Sequence, residues 1–263
     1  MIDIHNHILP AVDDGAKDLD ISRDMLRVAA SQGVEHIVLT PHLYEPDIIK
    51  GTGEWKNRIL TAYEDLRQLV EREQINVQLT QAAEVRFQGM LEVILEELPV
   101  LLGGKYLLLE FSFSNVPLHV ENAIYELFRK GITPILAHPE RIKPWQREPE
   151  RLAELINMGC LSQLDIGSFL GRLGPSAEAF AHSLLEAGAV QLVGSDSHNL
   201  NSRPLFAKEG YLWLTEHYGS EIADLYLKEN PARILAGDYV EVYPVDLTPP
   251  KKGLLEKIVS VFK

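Results

Sequence analysis

Histidines and carboxylates recur in this chain where short apolar runs stop: His5 and His7, His42, Glu84, Glu110, His138, then Asp196 and His198. Imidazole and carboxylate together suit several divalent first-row metals. A carboxylate appended to a buried run is costly unless it is ion-paired, hydrogen-bonded or metal-bound, so Glu84 and Glu110 read as ligands or as halves of structural salt bridges. His5-Asn-His7 and Asp196-Ser-His198 share i, i+2 spacing, which sends both side chains of each pair to one side of an extended segment. Asp13-Asp14-Gly15 adds two carboxylates, of which Asp13 reads equally well as a turn or N-cap residue and Asp14 better as a ligand. Pro41 and Pro139 adjoin His42 and His138, stopping the strand ladder beside each imidazole. The joint pattern predicts a multinuclear metal-dependent hydrolase. Of nine histidines, His36, His119, His182 and His217 read as surface or satisfied core residues.

These ligands need elements that bring them together. Apolar runs at 2–5, 34–40, 76–83, 106–111, 133–137, 161–166 and 190–194 read as roughly seven buried strands, and stretches near 20–32, 54–74, 89–97, 119–130, 149–158 and 176–188 as amphipathic helices. Gly33, Gly131, Gly159 and Gly188 each follow a helix and precede a strand, as left-handed C-caps do. Such βα repetition builds a parallel sheet. Ligands follow five or six different strands, and no glycine-rich nucleotide fingerprint follows the first, so a closed barrel is expected over an open doubly wound sheet. Prolines at 243–250 form a linker that divides a body of residues 1–242 from a short amphipathic tail at 251–263. The tail carries net charge +3 and is expected to dock on the body, with weak membrane-surface or kinase contact as the alternative.

Composition bounds the rest. At 263 residues the chain fits one α/β barrel. A formal net charge of −13 opposes nucleic acid as a partner, since that binding needs Lys and Arg to neutralise phosphates. The single cysteine excludes an internal disulfide, and Met1 is followed by neither an export signal nor an apolar span, so the expected location is the cytoplasm. Cysteine-dependent phosphatase chemistry is excluded, because it needs an arginine six residues after the nucleophile and position 166 is Ile; Cys160 reads as a buried strand residue. No Gly-x-Ser-x-Gly elbow occurs either.

In order along residues 1–240, Ile2-Asp-Ile-His-Asn-His-Ile8, Val12-Asp-Asp-Gly15, Thr40-Pro-His42, Ala83-Glu84, Ile135-Leu-Ala-His-Pro-Glu-Arg141 and Ser195-Asp-Ser-His-Asn-Leu200 resemble the PHP (polymerase and histidinol phosphatase) superfamily. More narrowly they resemble the bacterial metal-dependent tyrosine-protein phosphatases of capsule and exopolysaccharide systems. The resemblance implies a distorted (β/α)7 barrel with three divalent ions at the strand C-termini, most often manganese, with iron or zinc as substitutes. His5, His7, Glu84 and Asp196 would hold one ion. Glu84 would bridge to a second, held also by Glu110 and His138, and Asp14, His42 and His198 would hold the third. Three such ions and four carboxylates leave a surplus of about +2, matching a phosphate monoester dianion.

The implied reaction is in-line attack on phosphorus by a metal-bound hydroxide, with Arg141 and Arg203 contacting the phosphoryl oxygens through their planar forks. Asp165 is a candidate general acid by position alone. The implied substrate is a phosphotyrosyl protein, a bacterial tyrosine kinase or its targets. Tyr44, Lys50 and Trp55 are candidate peptide contacts, although Glu45 and Asp47 make the intervening loop more acidic than in relatives. A phosphatase for a small phosphoester such as histidinol phosphate is the alternative enzyme, and a non-catalytic metal-binding module that recruits a partner is the alternative outside enzymology.

Overall fold

The computed structural model describes residues 1–44, 52–87, 91–98 and 100–248. Among these, nine short strands run in chain order: β1 (Ile2–Asn6), β2 (His36–Leu39), β3 (His42–Leu43), β4 (Gln78–Gln81), β5 (Glu84–Arg86), β6 (Tyr106–Glu110), β7 (Thr133–Ala137), β8 (Leu161–Asp165) and β9 (Leu192–Gly194). They pair in parallel as β1-β2-β4 and β3-β5-β6-β7-β8-β9.

Nine strands stand where seven apolar runs were expected, because a further short strand, β3 or β5, follows each of the runs 34–40 and 76–83. Thr40-Pro41 separates β2 from β3, and Ala82-Ala83 separates β4 from β5. The register is the same on both sides of the break, with Leu39 opposite Gln81 and His42 opposite Glu84. Hydrogen bonds donated by the Ala82 amide to the Leu39 carbonyl (2.9 Å) and by the Glu84 amide to the Pro41 carbonyl (3.1 Å) cross it. Pro41 has no N–H to offer the ladder, which is where β2 and β3 part.

The two faces of the strands pack differently. Leu107, Leu109, Leu136, Leu164 and Val193 join the large cluster that includes the helical residues Leu26, Leu66, Ile124 and Leu155. Tyr106, Leu108, Ile135, Ala137, Leu192, Val38 and Ile4 form a second cluster facing away from the helices. This alternation fixes where ligands can sit, since Glu110 and Glu84 continue the second face beyond Leu108 and Ala82. On β1 the parity is wrong for His5, because Ile4 already occupies that face. The structure resolves this with a bulge: pairing with β2 slips by one residue between Asp3 and Asn6, so that Asn6 lies opposite Leu39. The extra residue turns His5 and His7 to the face that Ile4 held before it.

The first and last strands are tied directly. Asn6 bridges Ser197 in parallel, the Asp196 amide donates to the His5 carbonyl (2.8 Å), and the His7 amide donates to the Ser197 carbonyl (2.9 Å). Asp3 is buried and accepts both the amide (3.0 Å) and the hydroxyl (2.7 Å) of Ser195.

All six expected helices are present, as Leu19–Ser31, Thr52–Glu73, Leu91–Glu97, Val120–Arg129, Pro149–Asn157 and Pro175–Glu186. The four C-cap glycines have φ of +84°, +76°, +111° and +68°. Sequence reading passed over Lys143–Arg147, Ile166–Phe169 and the run Ala207–Tyr218, Ser220–Asp224, Leu225–Glu229 and Asn230–Ala236. The last of these closes the strand N-terminal end: Ile234 packs with Leu102 and Tyr106, and the Asn230 side-chain amide donates to the Gln191 carbonyl just before β9 (2.8 Å). Within 243–248, Val245 and Leu247 are buried against the body, and Val245 exchanges two hydrogen bonds with the Asn157 side chain. The amphipathic tail at 251–263, Lys50, and the acidic loop residues Glu45 and Asp47 lie outside the described residues.

Ser195→Ala removes a hydrogen bond from a buried carboxylate and should cost about 1–3 kcal/mol. A lower denaturant midpoint at unchanged m value is the expected reading, and an unchanged midpoint would mean that the Asp3–Ser195 tie does not hold the chain ends together.

Candidate metal centre

Each sequence-identified ligand reaches its place by a separate local device. His5 and His7 follow the bulge, Glu84 opens β5, and Glu110 closes β6. His138 directly follows β7, where simple alternation would turn it away from the second face. A left-handed φ of 33° turns it back. Asp196, two residues beyond β9, shares the parity of Leu192 and also has a left-handed φ, of 45°. Non-glycine residues in that region are uncommon and are held there by their surroundings. Asp14 comes from the turn after β1, where Gly15 is obligatory: a Cβ there would lie 2.1 Å from the His7 carbonyl oxygen.

All nine expected ligands converge. Their donor atoms form four overlapping groups, each with all donors within 4.8 Å of one another: His7, Asp14, His42 and His198; His5, His7 and Asp196; His5, Glu84 and His138; and His42, Glu84 and Glu110. Glu84 therefore stands at the middle, with one oxygen 2.9 Å from His138 Nε2 and 3.3 Å from His5 Nε2, and the other 2.8 Å from His42 Nδ1 and 3.5 Å from His7 Nε2. Asp196 Oδ1 sits 3.3 Å from His7 Nε2 and 3.5 Å from His5 Nε2, and Asp14, at the exposed mouth, lies 3.4 Å from both His42 Nε2 and His198 Nε2. The grouping differs in three respects from the ligand sets implied by resemblance: His5 keeps company with His138, His42 with Glu110, and His7 also with Asp14, His42 and His198.

The donor set fits metal cations. His5 Nε2, His7 Nε2, His42 Nδ1, His198 Nε2, Glu84 Oε2, Glu110 Oε2 and Asp196 Oδ1 are buried without a hydrogen-bond partner, a cost that a coordinated cation would relieve. Three of the imidazoles are meanwhile anchored through their other nitrogen: His5 Nδ1 to Gln163 Oε1 (2.7 Å), His7 Nδ1 to Asp13 Oδ2 (2.8 Å) and His198 Nδ1 to the Asp196 carbonyl (2.9 Å). Such anchoring fixes the ring and its tautomer so that the free nitrogen points at the cation. Asp13 also accepts the amides of Gly15 (2.9 Å) and His42 (3.0 Å).

The electrostatics follow from crowding charge into a dry place. Burial alone would raise Glu84 and Asp196, yet the surrounding imidazoles, His5 foremost, hold both well below the usual carboxylate range. Glu110 loses the contest: burial and the Glu84 charge push it up to about 7. Burial lowers His42, but Asp14 and Glu84 outweigh it and push it up to about 9, whereas burial wins at His138, which falls to about 4. In the chain alone, protons on imidazole do the neutralising that divalent cations would do when bound.

Arg141 and Arg203 stand beside this basin. Arg141 Nη1 donates to Asp196 Oδ2 (2.6 Å) and reaches Asp165 Oδ2 (3.4 Å), with its guanidinium 4.6 Å from the centre of the Phe113 ring; Arg203 donates to the same Asp196 oxygen. Asp165 caps the helix Ile166–Phe169 through the Gly167 amide (2.8 Å), and burial together with the Asp196 charge pushes it up to about 7. Tyr44 stacks on His42 at 4.8 Å, within the site. Trp55 corrects its sequence reading: it is buried in the helix Thr52–Glu73 and donates to the His42 carbonyl (3.3 Å), so it supports a ligand and does not face a peptide. Sequence reasoning missed Gln163, Phe113 and Arg86, which lies 3.4 Å from Glu110. For Arg86 a signal existed in its i, i+2 relation to Glu84 along β5. His36, His119, His182 and His217 take no part in the four groups. Cys160 is buried just before β8, and burial raises its thiol.

The chain is similar to several known proteins along most of its length. The family model for capsular polysaccharide synthesis proteins, CpsB/CapC, matches residues 1–236. Tyrosine-protein phosphatase YwqE of Bacillus subtilis (strain 168) is 37% identical over 240 residues, which is 89% of this chain and 91% of that protein. Tyrosine-protein phosphatase CpsB of Streptococcus agalactiae serotype V is 34% identical over 253 residues, covering 91% of this chain and all of the relative. A solved structure from work on YwqE of Bacillus subtilis and CpsB of Streptococcus pneumoniae, described as unique metal-dependent tyrosine phosphatases, superposes with a TM-score of 0.86 at 33% identity, covering 95% of this chain and 100% of that one.

Gln163→Leu and Asp13→Ala each release an anchored imidazole, and each should weaken divalent-cation binding 10- to 100-fold by calorimetry, on the order seen for such partners elsewhere. Wild-type affinity in both would refute the anchoring role. Because His42 holds a proton up to about 9 in the chain alone and must shed it to coordinate, cation affinity should climb from pH 6 towards pH 9 and then level off. A flat profile would show that His42 is not a ligand.

Proposed function

The chain belongs to the CpsB/CapC family of capsular polysaccharide synthesis proteins, and from that premise we propose that it is a metal-dependent protein-tyrosine phosphatase. One observation carries the reading: the unpartnered donor atoms of metal-ligating side chains meet in a single buried basin with two guanidiniums at its edge. A site of that composition suits a dianionic phosphate monoester and needs no cysteine nucleophile. The parallel strands, the steady register across the breaks and the Asn6–Ser197 bridge support a distorted (β/α)7 barrel of the PHP type around it.

His5, His7, Asp14, His42, Glu84, Glu110, His138, Asp196 and His198 are the residues we assign to three divalent ions, with manganese as the first choice. Bound there, such ions would bring the pKa of water towards neutrality and offset phosphoryl charge. The rest falls to the protein. Arg141 and Arg203 each give Asp196 only part of a five-donor fork, and their remaining N–H groups are assigned to the phosphoryl oxygens, positioning them and stabilising the charge that develops. Asp165, pushed up to about 7, can hold a proton beside Arg141 at neutral pH, and we assign to it the proton that the departing tyrosyl oxygen takes. Phe113 and Tyr44 flank the basin and supply aromatic walls for a phosphotyrosyl ring. The proposed substrates are phosphotyrosyl proteins of a capsule system, with a bacterial tyrosine kinase as the foremost candidate.

Turnover of a phosphotyrosyl peptide, a phosphoseryl peptide and histidinol phosphate by chelator-stripped protein, before and after adding manganese, tests this reading. Manganese-dependent preference for phosphotyrosine is expected; preference for histidinol phosphate would overturn the substrate, and inactivity on all three would overturn the enzyme. Arg203→Ala should lower kcat/KM on the phosphotyrosyl peptide by about 100-fold while the fold survives. Near-normal kinetics would remove Arg203 from the site.

A further inference from the structure

Beside Arg141 the surface opens into a second cavity of about 640 Å³, whose lining includes Phe113, Lys143, Arg147, Gly174 and Ser176. Its walls are cationic in a chain of net charge −13. Lys143 and Arg147 stand at the two ends of the helix Lys143–Arg147, in the i, i+4 relation that puts side chains on one face and makes like charges repel. Neither ion-pairs with a carboxylate among the described residues, although Arg151, a turn further on, pairs with Glu148. The Lys143 amide donates to the Phe113 carbonyl (2.9 Å), tying this face to the ring under the Arg141 guanidinium. Across the cavity, the twelve-residue helix Pro175–Glu186 presents its N-terminus, which no side chain caps. The positive end of its dipole adds to the two side chains.

Resting on the phosphatase reading, we propose that this cavity is a substrate subsite for a second anionic group, a carboxylate or a second phosphoryl group carried next to the phosphotyrosine whose phosphate meets Arg141. Its position explains how a site that fits any phosphate monoester selects among proteins. Arg141 borders both spaces, so a peptide anchored at the metal centre leads its neighbouring side chain along the Lys143–Arg147 face. Two unbalanced cations and a helix N-terminus leave an electrostatic debt that an anionic neighbour settles and a neutral one does not.

The test compares kcat/KM of the manganese-loaded protein on free phosphotyrosine and on three phosphotyrosyl peptides, flanked by neutral residues, by Asp and Glu, or by a second phosphotyrosine. Each is run on wild type and on Lys143→Ala/Arg147→Ala. Wild type should favour the anionic peptides over the neutral one by about tenfold at low salt, and the preference should shrink with ionic strength. In the double variant that ratio should collapse to within about twofold. Because the readout is a ratio within one protein, any general loss of catalysis cancels. A larger gain from the second phosphotyrosine than from the carboxylates identifies phosphate as the preferred source, and the reverse identifies acidic side chains. Equal rates on all peptides in wild type, or a preference that survives in the variant, would overturn the subsite while leaving the phosphatase intact. No turnover of free phosphotyrosine or of any of the peptides would instead refute the phosphatase; calorimetry with the unphosphorylated acidic and neutral peptides would then decide the cavity, and equal binding would refute it.

Discussion

The structure depends on keeping like charges together in a place without water. Glu84, Glu110 and Asp196 are nearly or wholly buried within a few ångströms of one another's imidazole neighbours, and Glu84 alone touches four histidines. Carboxylates at that depth are untenable singly, so the fold surrounds them with protonatable rings, three guanidiniums (Arg86, Arg141 and Arg203) and a buried amide at Gln163. Compensation is uneven. Glu110, farthest from the imidazole centre and nearest to Arg86, is the one that burial pushes up to about 7. A basin whose charge balance is set by movable protons is suited to exchange them for cations, and the donor atoms without a hydrogen bond are the ones a cation would relieve.

The path by which the chain reaches that basin explains what could be read from the sequence. His5, His7, Asp196 and His198 were legible because extended backbone repeats every second residue, and Glu84 and Glu110 because a carboxylate after an apolar run needs a reason. The bulge between Asp3 and Asn6 was not legible, although the aim of the first pair depends on it: nothing in Asp3-Ile-His-Asn6 names the slip, which exists only against β2. Gln163 was hidden for a related reason, since its partner His5 lies 158 residues away. Trp55 was misread because an aromatic residue after a polar loop looks the same in sequence whether it faces a ligand or supports one. The helices between 207 and 236 were missed because they follow the last strand, outside the βα rhythm that revealed the others: Gly210 and Trp213 pack on Ile166 and Phe169, and Ile234 packs at the strand N-terminal ends.

The supporting residues divide by the kind of freedom they remove. Asp13, Gln163 and the Asp196 carbonyl stop three rings from rotating. The left-handed backbone at His138 and Asp196 fixes direction at two strand ends where a flexible turn would let the side chain wander. Arg141 and Arg203 share one oxygen of Asp196 and so leave the other, Oδ1, facing His5 and His7. A carboxylate whose two oxygens face different chemistry links the imidazole basin to the two guanidiniums at its edge.

The tie between Asp3 and Ser195 spans 192 residues, which makes the site a late event in the life of each molecule. During synthesis the first strand emerges carrying His5 and His7 long before their partners Asp196 and His198 and the Arg203 guanidinium have been joined to the chain. Contacts of such sequence separation carry the largest loop-closure cost and form slowly. An unfinished chain therefore holds scattered ligands without a site, and competence arrives only when the last strand docks against the first.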